Sequence, residues 1–172
     1  MSEPIAPSPA PDAGGCTAAV RTFAWCNVVL LGALALALSV YLWPHWRHNP
    51  DLSHGLFMPA VFVLLIWESR RLGPRRHPRP AGGWLAVLVL LGAAALVSLA
   101  AAGLFAVSLG WSHSLVAFTL TAAFVAALFA ALVALSLAPL RLASLNWIAV
   151  AAALLWLFVA PMPPGTYATI AK

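Results

Sequence analysis

Five apolar runs, at residues 22–43, 56–67, 84–109, 115–137 and 142–160, fill most of the chain, and only short polar joints separate them. Four of the five reach about 19 residues or more, and a helix of ~20 residues rising 1.5 Å each crosses a ~30 Å hydrocarbon core. Composition points the same way: 63% of residues are apolar and 8% charged, against about 45–50% and ~25% in soluble domains. A disordered chain is excluded by the same figures, since disorder needs low hydrophobicity and high charge. The fold class expected is all-α, a polytopic membrane helix bundle of about five transmembrane helices with its N-terminus in the cytoplasm.

The second run sets the hardest constraint. Residues 56–67 alone make an α-helix of about 18 Å, well short of a span. Extending the helix back to Asp51, after Pro50, gives a span over 51–67 of about 26 Å, which carries Asp51, Ser53 and His54 to the membrane interface. Asp51 then reads as an N-cap, and Pro59, inside the helix, is expected to free a carbonyl and bend it.

Residues 1–20 hold six Pro and Gly residues and almost no bulky apolar side chain, and are read as a disordered N-terminal tail; residues 21–172 form the membrane portion. The long first run and its long polar lead argue against a cleaved signal peptide. Gly15-Cys16 lacks the preceding apolar segment of a lipoprotein site. Placing the N-terminus inside collects Arg21, Arg70, Arg71, Arg75, Arg76, Arg79 and Arg141 on the cytoplasmic side and leaves Arg47 and Lys172 outside, as the positive-inside rule requires. The net charge of +5 is therefore topological. No aromatic residues interleave with these arginines, so nucleic acid is not an expected partner; membrane lipid is. Tyr41, Trp43, Trp67, Trp84, Trp111 and Trp147 fall near helix ends, at headgroup depth. Ala122, Ala126, Ala130 and Ala134, flanked by Ala123, Ala127 and Ala131, form a small-residue stripe suited to close helix packing. No internal repeat of the transporter type stands out.

Chemistry concentrates in the joint Pro44-His45-Trp46-Arg47-His48-Asn49-Pro50-Asp51-Leu52-Ser53-His54-Gly55. His45, His48, Asp51 and His54 are spaced by three, but on an α-helix each such step drifts by about 60°, so no metal site is expected. Asp51, Ser53 and His54 are the candidate polar cluster, for substrate entry or for structure, since ionisable groups at apolar depth are costly unless paired. No G-x-S-x-G element accompanies the Ser-His pair, and no cofactor motif is present. Cys26, amid apolar neighbours, is expected to be packed and unreactive. Asn146 and Ser144 are expected to cap the fifth helix.

The segment Asn49-Pro50-Asp51-Leu52-Ser53-His54-Gly55-Leu56-Phe57-Met58-Pro59, running through Leu64-Leu65-Ile66-Trp67 into Arg70-Arg71, resembles the N-terminal half of the exosortase/archaeosortase family. There a D-x-S-H-G-like element opens a membrane helix closed by Trp and basic residues. Pro161-Met162-Pro163-Pro164-Gly165-Thr166-Tyr167 resembles the family's exported proline-rich turn, and the likeness extends over about residues 22–172. It implies a multi-pass protein of the bacterial inner membrane, a cysteine transpeptidase or protease that processes C-terminal sorting signals of the PEP-CTERM type. The family's proposed Cys, Arg and His lie near the exported ends of later helices. Here no Cys follows Cys26, no Arg follows Arg141 and no His follows His113, so no catalytic residue carries over. The resemblance thus implies the N-terminal portion of such an enzyme, inactive alone, either truncated or completed by a second chain. The alternative is a non-enzymatic polytopic membrane protein, a transporter subunit or assembly factor.

Overall fold

A computed structural model describes residues 13–72, 81–137 and 143–161. Among these residues the chain forms helices and no strand. The elements are α1 (Ala13–His48), a 3₁₀-helix (Pro50–Phe57), α2 (Met58–Leu72), α3 (Gly82–Leu109), α4 (Ser114–Ser136) and α5 (Trp147–Phe158). Four stretches, Thr22–His48, Leu52–Leu72, Gly82–Leu109 and Ser114–Ser136, are long and apolar enough to cross a membrane. The fold is an all-α helix bundle, and the chain is a multi-pass membrane protein.

α1, α2, α5 and α4 close a ring around one apolar core, with α4 also packed against α3. Leu38, Leu42 and Trp46 of α1 meet Phe124, Leu128 and Leu132 of α4 and Ala149, Ala153 and Trp156 of α5, with Phe62 and Ile66 of α2 against them. α3 touches only α4 among the described elements. Its buried residues are the small Ala102 and Ala106, which let two backbones approach without bulky side chains between them. The rest of α3 shows Leu90, Leu96, Val97, Leu104 and Val107 outward, a surface that suits hydrocarbon rather than water. The alanine stripe of α4 lies in this packing: Ala123 is buried, and Ala122, Ala126, Ala127, Ala130, Ala131 and Ala134 are half-buried.

Several boundaries differ from the reading of the sequence. α1 begins at Ala13, inside the stretch read as a tail, of which residues 1–12 lie outside the described residues. It also runs through Pro44 to His48; the proline gives up one backbone bond without ending the helix. Pro59 lies at the start of α2 rather than in its interior, as that helix's second residue, where a missing N–H costs nothing. The fifth run is α-helical only over Trp147–Phe158, 12 residues, or about 18 Å. Its flanks leave the helix within the protein: Ser144, Val159, Ala160 and Pro161 are all buried.

Non-helical backbone in an apolar setting must find partners inside the protein. At the start of α5 it does so through one asparagine. Asn146 Oδ1 accepts from Ala149 N–H at 3.0 Å and its Nδ2 donates to Ser69 O at 2.9 Å, while Ser69 Oγ donates to Ser144 O at 3.2 Å. Ser144 therefore receives a bond through its carbonyl, and the helix cap is Asn146. The buried hydroxyls of Ser39, Thr121 and Ser136 return to carbonyls of their own helices at 2.7–2.8 Å, the local solution open to Ser and Thr in a helix.

Candidate functional site

The 3₁₀-helix Pro50–Phe57 positions the residues that the sequence singled out. Side chains at i and i+3 eclipse in a 3₁₀-helix, so its eight residues present fixed rows. Leu52, Gly55 and Met58 form the inward row and are all buried, whereas His54 and Phe57, three apart, are exposed. Ser53 is exposed too, and its Oγ donates to Pro50 O at 2.8 Å. That hydroxyl is thus committed to its own turn rather than to His54. The Asp51 side chain lies outside the described residues; its backbone belongs to the same segment, and positions 51 and 54 share a row by register. The structure therefore leaves Ser53 and His54 both exposed, on adjacent rows of the 3₁₀-helix.

This geometry also resolves the length problem of the second run. Residues 52–57 rise about 2.0 Å each as 3₁₀ and α2 adds about 22 Å, so Leu52–Leu72 reaches about 34 Å. The tighter winding lengthens the rod, and the span needs no residue before Leu52. Step-of-three spacing has no drift in this segment, unlike on an α-helix, but His45 and His48 stay on α1. His48 Nδ1 lies 2.8 Å from Pro44 O and His45 packs edge-on against the Tyr41 ring. Among the described residues no group of three or more His, Cys, Asp or Glu gathers as metal ligands.

The residue that fixes this end of the bundle was not legible as a site. Trp46, between the half-buried His45 and the exposed Arg47 in a polar stretch, is 1% exposed. Its Nε1–H donates to Val159 O at 2.8 Å across 113 residues of sequence. Gly55 makes room for it: a Cβ at position 55 would stand 2.5 Å from Trp46 Nε1, 2.6 Å from Cδ1 and 2.7 Å from Cε2. The indole thus lies directly against the 3₁₀ backbone on one side and is bonded to the end of α5 on the other. No local pattern signals it, because Trp46 ends one helix, Gly55 lies in the next element and Val159 is 113 residues away.

A sequence model of the transmembrane exosortase family matches residues 46–171. The chain belongs to this family. No curated protein and no solved structure matches it. The match begins at Trp46, takes in the 3₁₀-helix and α2 to α5, and ends at residue 171, so the exosortase region contains the indole together with Gly55 and Val159. In this exosortase chain the D-x-S-H-G element divides its work: Gly55 seats the tryptophan, Leu52 joins the core, and Ser53 and His54 face out.

The remaining sequence candidates fall elsewhere. Cys26 is exposed on α1, a correction to the expectation that it is packed; its neighbours Phe23 and Trp25 are exposed as well, so this helix face turns away from the core. His113 caps α4, its Nδ1 accepting from Leu115 N–H at 3.2 Å. Trp43, Trp67, Trp111 and Trp147 are exposed near helix ends, where an amphipathic ring suits the interface. Tyr41 OH donates to Trp111 O and ties α1 to the α3–α4 joint. Arg75, Arg76, Arg79, Arg141 and the turn at 162–167 lie outside the described residues, as does the side chain of Arg21.

Proposed function

We propose that this chain is the N-terminal membrane portion of an exosortase-type cysteine transpeptidase or protease of the bacterial inner membrane, acting on C-terminal sorting signals of the PEP-CTERM type. The observation that carries the reading is the family match across residues 46–171. It is supported by the outward Ser53 and His54 on a segment braced at the end of the bundle. In this reading the N-terminus lies inside, as the arginine distribution favours, and the 3₁₀ face is exported. Asp51, Ser53 and His54 line the mouth where a sorting signal arrives. The thiolate, base and oxyanion cation that such chemistry requires are not supplied by residues 1–172, so catalysis draws on later helices, in the same protein or in a second chain.

The test is a chimera in which residues 22–161 replace the corresponding front part of a complete exosortase, expressed in a strain without its own. Processing of a reporter bearing a C-terminal sorting signal is expected in the chimera and not with the chain alone. His54→Ala in the chimera is expected to slow processing about tenfold, the loss of one polar contact of ~1.4 kcal/mol. An unprocessed reporter at normal chimera levels contradicts the family-wide role, and full-rate processing by His54→Ala contradicts the role of the 3₁₀ face.

A further inference from the structure

The indole of Trp46 brings three segments to one point: the last turn of α1, the 3₁₀ backbone at Gly55 and the carbonyl of Val159, which terminates α5. The 3₁₀-helix packs most closely against α1 and α2, and its Leu52 shares the core with Trp156 and Val159. The indole adds a hydrogen bond that ties the segment carrying Ser53 and His54 to the end of α5. Beyond Val159 the chain stays buried at Ala160 and Pro161, so the indole is bonded where α5 ends and buried non-helical backbone begins. The edge of the ring that donates the bond is also the edge that rests on Gly55, since Nε1 is the atom nearest the would-be Cβ. Contact with the 3₁₀ segment and the bond to α5 thus share the Nε1 edge of the ring.

We propose that Trp46 is a positioning residue: seated on Gly55 and bonded to Val159 O, it holds the Ser53–His54 face in register with the end of α5. This rests on the proposed exosortase reading for its meaning in the reaction, but the mechanical statement stands on the contacts alone. The register matters for recognition, because a binding face accepts its ligand only when it is held within a narrow geometry.

The structure contains its own control. Trp156 is 0% exposed, and its Nε1 has no hydrogen-bond partner among the described residues; the Phe62 and Phe124 rings stand edge to face with it at 5.7 and 5.2 Å between centroids. Trp→Phe deletes the same atoms at both positions, yet only Trp46→Phe leaves a buried carbonyl without its donor. In a background with Cys16→Ser and Cys26→Ser, a reporter thiol is placed by Ala160→Cys, and the protein is treated in vesicles with a membrane-impermeant maleimide. Trp46→Phe is expected to raise the labelling rate about tenfold, the factor equivalent to ~1.4 kcal/mol of a lost buried bond, and Trp156→Phe to change it less than twofold. Equal rates in parent and Trp46→Phe overturn the proposal.

A second measurement serves if Ala160→Cys fails to fold: deuterium exchange of the indole N–H groups in the 15N-tryptophan-labelled chain. The resonance lost in Trp46→Phe is expected to be among the slowest to exchange; rapid exchange of that resonance overturns the latch. In the processing chimera, Trp46→Phe is expected to raise the KM for the sorting-signal reporter more than it lowers kcat, as misplacement of a binding face requires. Unchanged KM with increased maleimide labelling shows a latch that does not position the site, and overturns the proposal. An inactive parent chimera instead bears on the exosortase reading, which the labelling experiment does not use.

Discussion

Gly55→Ala is expected to destabilise the folded chain by about 2–5 kcal/mol, a large loss for one methyl group. The added Cβ arrives 2.5 Å from Trp46 Nε1, well inside van der Waals contact. The indole is not free to yield, because it is 1% exposed and tethered to Val159 O. Overpacking of this kind costs about 1–3 kcal/mol. If the ring retreats instead, the Val159 carbonyl loses its donor, at a further ~1–3 kcal/mol. Unfolding in detergent, followed by circular dichroism against temperature or SDS, measures the loss. The double variant Gly55→Ala/Trp46→Leu separates the two contributions: the smaller side chain relieves the clash and leaves the carbonyl orphaned, so the two substitutions must be strongly non-additive. Additive losses contradict the contact.

The second large effect is at the opposite end of the α2–α5 pair. Asn146→Ala is expected to cost about 2–4 kcal/mol in the same measurement. An N-cap replaced by alanine loses about 0.5–2 kcal/mol, and here the same side chain also donates to Ser69 O, whose orphaning adds ~1–3 kcal/mol. Asn146→Asp separates the roles, since the carboxylate keeps the cap to Ala149 N–H and has no amide proton for Ser69 O. It is expected to fall between wild type and Asn146→Ala. Ser69→Ala removes a single donor to Ser144 O and is expected to cost about 1 kcal/mol. A stable Asn146→Ala would mean that α5 does not depend on this cap.

These two knots explain how a helix of 12 residues holds its place in a bundle of longer ones. α2 and α5 run antiparallel: Phe62, early in α2, meets Trp156, late in α5, and Ser69, late in α2, bonds to Asn146 and Ser144, ahead of α5. One end is closed by Asn146 and Ser69, the other by Trp46 and Val159. Each supplies a side-chain partner to backbone groups where helical bonding stops. Short helices with buried ends are tolerated at apolar depth only on that condition.

The helical membrane fold was legible in the sequence because bilayer thickness turns run length into structure, and the family was legible in the D-x-S-H-G element around Asp51, Ser53 and His54. The place of Asn146 as a cap came from residue type and position. The features that were not legible depend on winding and on distant contacts. Phasing residues 51–67 as an α-helix gave a rod of about 26 Å and put Pro59 in its interior; 3₁₀ winding to Phe57 changes the length, moves Pro59 to a helix start and brings Leu52, Gly55 and Met58 into one row. The partner of Trp46 lies 113 residues away, beyond any local pattern. Cys26 was misplaced because apolar neighbours indicate the core in water, whereas in a membrane chain they mark the lipid-facing side equally well.

The most direct test of the account is a single-cysteine scan of positions 52, 53, 54 and 58 in a background with Cys16→Ser and Cys26→Ser, labelled on intact cells with an impermeant maleimide. The account predicts rapid labelling at 53 and 54, with protection at 52 and 58, which face the core. Labelling of all four positions, or of 53 and 54 only once the inner face of the membrane is exposed, would contradict it.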